Sequence, residues 1–341
     1  MIISFNPAIF QTQDDDMQSI LADILIELLK DNHFIDPRSI ASIFFDNENR
    51  YIFSKNKIAK SYLSDTKRDY LKLYITNNRK PITSLYRDHI THITIGTDAG
   101  EINPRDAHKI LTERSKIIVE NRINDGKFIQ GIAQKYSSHK KRGSIYLLIT
   151  KAFKLRTIEC DHAGGIGEII KTTQFLIKDQ GYDYIYKYKL MTIFDSDKSH
   201  INHFNTRYTK LIEFLKNRTI CNPPATNDII YEKDDLIIWH ILYKRKIENY
   251  IPLDILFKKA TLITQDQQDH LSSKSESDLD FLEYNKDGNN IGQINIKEEF
   301  PEMFLGDFSY RLLEQRCQHH KVFIPEENEL VSELEQILLK I

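Results

Sequence analysis

A short apolar run, Lys116-Ile117-Ile118-Val119-Glu120, is rich in β-branched side chains and ends in an acid. This composition over a few residues predicts a buried β-strand. Residues 121–126 are rich in Asn, Asp and Gly, and they predict a turn. Beyond the turn, apolar residues recur at the spacing of one helix face, at positions 128, 129, 132, 133 and 136. The segment therefore predicts a strand, a turn and a helix in that order.

The alternation of strand and helix patterns continues along the chain. Further strands are predicted at 156–160, 189–194 and 235–242, and further helices at 169–176 and 208–216. Strands that alternate with helices are typical of an α/β fold, in which helices flank a largely parallel sheet. We therefore predict such a domain over residues 114–262.

The residues before this domain carry a weaker pattern. Three consecutive acids, Asp14 to Asp16, precede an apolar stripe, which predicts a helix with negative charge at the positive end of its dipole. Pro37 follows a turn residue and can open a second helix at its first position. No chemical motif occurs before about residue 113, so residues 1–113 are predicted to form a mostly helical accessory domain.

The residues after the domain, 263–341, are predicted to form a linker and a small helical extension. Asp, Gln, Ser, Lys and Asn dominate residues 264–292, a composition typical of a loop. An apolar stripe over residues 330–341 predicts a closing helix.

The composition of the 341-residue chain excludes several classes of protein. It has no run of 18 apolar residues, the length that a membrane-spanning helix needs, and its N-terminus lacks the pattern of a signal peptide. Its 3 cysteines have no paired spacing, which argues against a zinc site or a disulfide framework and favours the cytoplasm. The 47 Lys and Arg balance 49 Asp and Glu, so nucleic-acid binding would have to come from a local site.

Acidic residues follow two of the predicted strands. Glu120 ends the first strand of the α/β domain, and Asp195 and Asp197 follow the third. Because ligands of parallel α/β sheets bind beyond the carboxyl ends of the strands, these carboxylates should converge if the two strands are neighbours. Carboxylates held together repel one another and call for a hard cation such as Mg²⁺. The pattern predicts metal-assisted cleavage of phosphodiesters, with the ion activating water.

These residues resemble the motifs of the Toprim domain, the metal-binding fold of topoisomerases and primases. Its first motif is a glutamate after an apolar strand, as at Glu120, and its later motif is Asp-x-Asp after another strand, as at Asp195 and Asp197. Residues 243–252 also resemble a sequence of the overcoming-lysogenisation-defect nucleases and of stand-alone bacterial defence proteins, in which a basic residue shortly precedes Ile-Glu-Asn-Tyr. The chain departs from the family at Asn121, where glycine is usual.

The resemblance implies a Rossmann-like Toprim sheet and a nuclease that depends on Mg²⁺ or Mn²⁺. The expected metal ligands are Glu120, Asp195 and Asp197. Glu248 is expected to assist them, although a structural salt bridge from Glu248 to Lys244 or Arg245 is an alternative at this spacing. Lys198 or Lys244 is expected to hold the phosphate as a point charge. Further local positive charge comes from residues 139–142, Arg207, Lys210 and Lys246, although such charges more often form a solvated face of a protein.

The pattern leaves functions of different classes open. The first is a nuclease that cleaves DNA or, as the nearest alternative, RNA such as tRNA. Since the chain shows no ATPase motif, such a nuclease is expected to be controlled by a partner, for example an ATPase, as a toxic effector in antiphage defence. The second is a regulatory or scaffold subunit with a degenerate Toprim-like site, whose terminal helices bind an ATPase or a second copy. Nucleotidyl transfer ranks last, because the glycines at 164–167 lack the GxGxxG spacing of a nucleotide-binding loop.

Overall fold

The computed structural model shows a mixed α/β fold in which each of two units is built on a parallel sheet. The structure describes residues 1–30, 32–77, 90–140, 143–183, 185–259, 263–284, 300–306 and 308–317. One unit is Met1–Arg114, and the other begins at Ser115. Over the described residues, helices flank both sheets, and none of these helices has the length and apolar character to cross a membrane.

The first unit contains a sheet that the sequence pattern did not predict. Its described strands are β1 (Ile2–Phe5), β2 (Phe34–Ile35) and β3 (His92–Ile95), in the order β2-β1-β3. Its helices are α1 (Asp15–Leu28), α2 (Pro37–Phe44), α3 (Lys57–Tyr62), α4 (Asp65–Asn77) and α5 (Pro104–Thr112), with 3-10 helices at Pro7–Gln11 and Phe53–Lys55. The prediction of a mostly helical domain was therefore incomplete, because strands of 2 to 4 residues are too short to show a period along the chain.

Helices α1 and α2 begin where the sequence predicted. The side chain of Asp14 accepts hydrogen bonds from the backbone N–H groups of Asp16 and Met17, and Asp36 caps α2 just before Pro37. Such caps satisfy N–H groups that have no partner inside the helix. The buried apolar stripe of α1 includes Leu21, Ile24, Leu25 and Leu28. Burial of each such side chain stabilises the fold by about 1.5–3 kcal/mol.

The second unit contains the sheet that the sequence predicted. Its described strands are β4 (Ser115–Val119), β5 (Ile158–His162), β6 (Leu190–Phe194) and β7 (Ile238–Ile241), in the order β5-β4-β6-β7. Each strand pairs with its neighbour in parallel, so the carboxyl ends of the strands lie at one edge. The predicted α/β fold with a largely parallel sheet is confirmed, and β4 and β6 are neighbours.

The helices of the second unit alternate with its strands and then follow the last one. Those between strands are α6 (Asn124–Tyr136), α7 (Gly143–Lys154), α8 (Ile166–Lys178), α9 (Tyr186–Lys189) and α10 (Thr209–Lys216). After β7 come α11 (Leu253–Lys259), α12 (Gln265–Ser273), α13 (Glu276–Phe281), α14 (Phe300–Leu305) and α15 (Tyr310–Arg316). Short 3-10 helices span Thr206–Tyr208, Thr226–Asp228 and Ile247–Tyr250. The helices predicted at 128–136, 169–176 and 208–216 are confirmed.

Helices α12 and α13 occupy a segment that was predicted to be a linker. Each begins with a capping box, formed by Thr264 and Gln267 at α12 and by Ser275 and Asp278 at α13. Ser, Thr, Asp and Gln are common in loops but equally common at helix N-termini, which is why the polar composition suggested a linker. The closing helix predicted at 330–341 lies outside the described residues.

Helix α14 packs closely against α6 at Gly131. Phe304 of α14 meets Phe128 of α6 edge to face, with the ring centroids 4.9 Å apart. A Cβ atom at Gly131 would lie 2.7 Å from the carbonyl oxygen of Phe304, which is closer than van der Waals contact allows. The absence of a side chain at Gly131 therefore permits the two helices to approach.

We expect Gly131→Ala to lower the free energy of unfolding by about 1–3 kcal/mol, because the added methyl group forces α14 away from α6. Gly167→Ala is the matched control, since a Cβ atom at Gly167 in α8 meets nothing within 4 Å. At such a site alanine favours the helix over glycine by up to about 1 kcal/mol. Urea denaturation followed by circular dichroism measures both variants. Equal effects of the two substitutions would contradict the packing at Gly131.

Candidate functional site

The two acidic motifs of the sequence meet at the carboxyl edge of the second sheet. Ile118 of β4 pairs with Thr192 of β6. This register sets Glu120 level with the end of β6 and next to Asp195. Neighbouring strands lie about 4.8 Å apart, so side chains that leave their ends in this way are close in space.

Asp125 completes the turn between β4 and α6. Its Oδ2 accepts a hydrogen bond from the backbone N–H of Asn121 at 2.9 Å. The side chain of Asn121 in turn accepts from the backbone N–H groups of Ile123 and Asn124, at 3.0 and 3.2 Å. Asn121 is not among the residues with positive φ, so this turn forms without the left-handed conformation that favours glycine. Asp125 therefore stabilises the turn and also adds a carboxylate beside Glu120.

The segment after β7 holds the Asp-x-Asp loop in place. The backbone N–H groups of Ser196 and Asp197 both donate to the carbonyl oxygen of Arg245, at 3.2 and 2.9 Å. The backbone N–H of Ile247 donates to Oδ1 of Asp195 at 3.3 Å. Asp197 has a φ of 48°, in the left-handed region that is uncommon for residues other than glycine. Such backbone conformations cluster at functional sites, where the surrounding structure enforces them.

Burial and neighbouring negative charges raise the pKa of three carboxylates at this edge. We call Glu120, Asp125, Asp195, Asp197 and Glu248 the acidic cluster. Burial, followed by the charges of Asp125 and Asp197, raises the pKa of Glu120 from 4.5 to about 7. Burial and the charge of Glu248 raise the pKa of Asp125 to about 6. Burial and the charges of the neighbouring acids raise the pKa of Asp195 well above 3.8. The cluster is therefore a place where added positive charge is strongly stabilising.

Within the described residues, cationic side chains and a tyrosine contact the carboxylate of Asp197. The Arg207 guanidinium pairs with Oδ2, and the Tyr208 hydroxyl donates to the same oxygen at 2.6 Å. Lys246 Nζ lies 3.5 Å from Oδ1. The positive charges of Arg207 and Lys246 also lower the pKa of Glu120, against the larger effect of burial. The sequence offered no signal for Tyr208, because the loop between β6 and α10 alone brings it to Asp197.

Lys198 and Lys244, the predicted phosphate contacts, are both buried. The carbonyl oxygen of Lys198 accepts a hydrogen bond from the Arg245 guanidinium at 2.9 Å. Lys244 Nζ pairs with Asp280, and burial together with the charge of Arg316 lowers the pKa of Lys244. The prediction for Lys244 is corrected accordingly: its side chain points to a buried carboxylate of α13, whose proximity no sequence spacing revealed.

Glu248 lies in the acidic cluster. Among the neighbouring charges, that of Glu248 has the largest effect in raising the pKa of Asp195. Lys244 and Arg245, the partners considered in the salt-bridge alternative, form ion pairs with acids further along the chain. The structure therefore favours a role for Glu248 beside the other carboxylates.

The donor chemistry of the acidic cluster fits a divalent metal ion. Carboxylate oxygens are the ligands that Mg²⁺ and Mn²⁺ prefer, and Oε1 of Glu120 is buried with no hydrogen-bond partner among the described residues. As they stand, however, the described His, Cys, Asp and Glu side chains form no group of three or more that could hold a metal ion. The pairing of Asp197 with Arg207 is consistent with this finding, because it directs that carboxylate to a cation of the chain itself.

No family model, curated protein or solved structure matches this chain. What the site can do is therefore inferred from its own residues and their geometry.

The raised pKa of Glu120 makes the stability of the metal-free protein depend on pH. A carboxyl group with a higher pKa in the folded state binds its proton more tightly there. Its contribution to stability is thus present below about pH 4.5 and is lost as the pH rises through about 7. We expect the free energy of unfolding of EDTA-treated wild type to fall by about 3 kcal/mol more than that of Glu120→Gln across this range. Urea titrations at several pH values measure both proteins, and parallel pH profiles would contradict the raised pKa.

Proposed function

We propose that this protein is a nuclease of the Toprim type that depends on Mg²⁺ or Mn²⁺ and hydrolyses phosphodiesters of nucleic acids. The observation that carries the proposal is the acidic cluster at the carboxyl edge of the second sheet. This edge is where parallel α/β sheets bind their ligands. Carboxylates that are buried together need a cation, and the cations beside them are suited to phosphate.

The proposed metal ligands are Glu120, Asp195 and Asp197. These residues would hold Mg²⁺ or Mn²⁺, which would supply an activated water and stabilise the charge on the leaving oxygen. Asp125 and Glu248 increase the negative charge that attracts the ion, and Asp125 also fixes the turn that presents Glu120. In this proposal Arg207 and Lys246 attract and orient the phosphate, a role that the sequence assigned to Lys198 or Lys244.

The substrate and the biological setting are part of the proposal. DNA is favoured and RNA such as tRNA is the nearest alternative. A toxic effector of bacterial antiphage defence, cytoplasmic and controlled by a partner such as an ATPase, accords with a nuclease site that has no ATPase motif beside it. The test is incubation of the purified protein with plasmid DNA, single-stranded DNA and tRNA in Mg²⁺ and in Mn²⁺. Cleavage of none of these substrates under either ion would count against a nuclease.

A regulatory or scaffold subunit is the second candidate, and one observation favours it. Asp197 is paired with Arg207 and Lys246, as expected for a degenerate site that no longer binds metal. Calorimetric titration with MnCl₂ separates the two candidates. Saturable binding of Mn²⁺ that Asp195→Asn removes supports the nuclease. Absence of binding, together with a stable complex with an ATPase partner, supports the scaffold.

A further inference from the structure

The contact between Arg207 and Asp197 joins an exposed cation to a buried acid. The side chain of Asp197 is 7% exposed, whereas that of Arg207 is 53% exposed. Tyr208, which shares the same carboxylate oxygen, is fully buried and stacks on Phe194 with ring centroids 5.6 Å apart. Arg207 can therefore leave Asp197 by rotating into solvent, while Tyr208 is held in place by packing.

Arg207 occupies one of the carboxylates that are proposed to bind the metal ion, since its guanidinium pairs with Oδ2 of Asp197. A divalent cation at these carboxylates would supply twice the positive charge of a guanidinium. Arg207 and the metal ion then compete for Asp197, because two cations brought to one buried carboxylate repel each other.

The guanidinium of Arg207 is also suited to the substrate. Arginine presents a planar set of N–H donors that matches carboxylate and phosphate oxygens equally well, unlike the single ammonium group of Lys246. Lys246 is less exposed than Arg207, at 35%, and its Nζ lies 3.5 Å from Oδ1 of Asp197. Arg207 is therefore the residue at this site that is best able to exchange a carboxylate for a phosphate.

We infer that Arg207 is a displaceable counter-ion that neutralises Asp197 while the metal site is empty and binds a phosphate of the nucleic acid once metal takes the carboxylate. This inference rests on the proposed function and adds that Arg207 binds the phosphate only after a metal ion has displaced it from Asp197. It also explains why Asp197 is paired with a cation of the chain in the structure.

Calorimetric titration with MnCl₂ tests the competition without any measurement of activity. We expect Arg207→Ala to bind Mn²⁺ about fivefold more tightly than wild type, because the ion no longer displaces a partly exposed ion pair. Lys210→Ala is the matched control, since Lys210 is an exposed lysine one turn further along and its loss removes the same charge. Its Mn²⁺ affinity should equal that of wild type. Arg207→Lys should bind Mn²⁺ with an affinity between those of wild type and Arg207→Ala.

Fluorescence anisotropy tests whether Arg207 binds a phosphate of the nucleic acid. The probe is a labelled single-stranded oligodeoxynucleotide, with Ca²⁺ as the divalent ion. Arg207→Ala should bind the oligonucleotide about fivefold more weakly than wild type and Lys210→Ala. A wild type that binds Mn²⁺ with the same affinity as Arg207→Ala, or more tightly, would overturn the displacement and leave the nuclease proposal intact. A wild type that binds no Mn²⁺ would overturn both. Arg207→Lys keeps the test valid if Arg207→Ala fails to fold, which a thermal melt reveals.

Discussion

We expect the proposed nuclease activity to fall by about a thousandfold in Glu120→Gln and in Asp195→Asn. Each substitution preserves the shape of the side chain but removes its charge and replaces one oxygen with an NH₂ group, so the loss reports on the carboxylate. The loss should be large for Glu120, because its buried Oε1 has no hydrogen-bond partner among the described residues and is available to a metal ion. Removal of a charge from a cluster of like charges also relieves repulsion. Glu120→Gln should therefore be less active and, without metal, at least as stable at neutral pH.

Glu120→Gln is expected to lower the activity without lowering the stability, and this combination makes the test specific. A variant that is inactive but at least as stable as wild type cannot owe its inactivity to misfolding. Asp161→Asn is the matched control. Asp161 lies near the carboxyl end of β5, at the same edge of the sheet, but its carboxylate pairs with Lys116 at 3.1 Å. Its activity should remain within about twofold of wild type, as for a partly exposed ion pair. Cleavage of plasmid DNA and of oligonucleotides measures all three variants. Persistent activity in both Glu120→Gln and Asp195→Asn would end the nuclease assignment.

Asp280→Asn is expected to lower the free energy of unfolding by about 3–5 kcal/mol. The carboxylate of Asp280 is 4% exposed and lies between Lys244 and Arg316, whose side chains are 3% and 5% exposed. Without its charge the two cations remain buried next to each other. The charge of Arg316 already lowers the pKa of Lys244 in the wild type, so the repulsion is present and Asp280 offsets it.

Glu276→Gln provides the matched control for Asp280→Asn. Glu276 contacts Arg316 at 2.8 Å, but its side chain is 62% exposed. Since solvent screens an exposed pair, this substitution should cost less than about 1 kcal/mol. Urea denaturation of both variants at neutral pH measures the difference. If the two substitutions destabilise the protein equally, the buried ion pairs of Asp280 contribute no more to stability than the exposed pair of Glu276.

Residues beyond the span of the Toprim resemblance also support the candidate site. The side chain of Asn249 donates to the carbonyl oxygens of Leu279 and Leu282, at 2.8 and 3.1 Å. The backbone N–H of Arg245 donates to the carbonyl oxygen of Asp280 at 2.9 Å. These bonds hold the segment after β7, which in turn holds the Asp-x-Asp loop. Residues 279–282 therefore support the site, although they lie outside the predicted domain at 114–262.

The sequence was sufficient where structure depends on neighbours along the chain. The strand ending at Val119, the helix after Asp14 and the helix capped by Asp36 all follow from local composition and spacing. The alternation of strands and helices predicts a parallel sheet but leaves the order of its strands open. The structure pairs β4 with β6 and so brings Glu120 to Asp195. Short strands such as β2 and polar helices such as α12 escaped prediction, because neither has an apolar period.

Only the tertiary structure decided which cations meet which acids. The sequence predicted the carboxylates of the site from strand ends, but it could not show that Arg207 reaches Asp197 or that Lys244 reaches Asp280. Ion pairs of this kind join residues that are 10 to 36 positions apart and lie on different elements. Sequence spacing shows only which residues share a face of one strand, with a period of 2 residues, or of one helix, with a period of 3.6. Contacts between residues further apart depend on the path of the loops in space, which local sequence preferences do not determine.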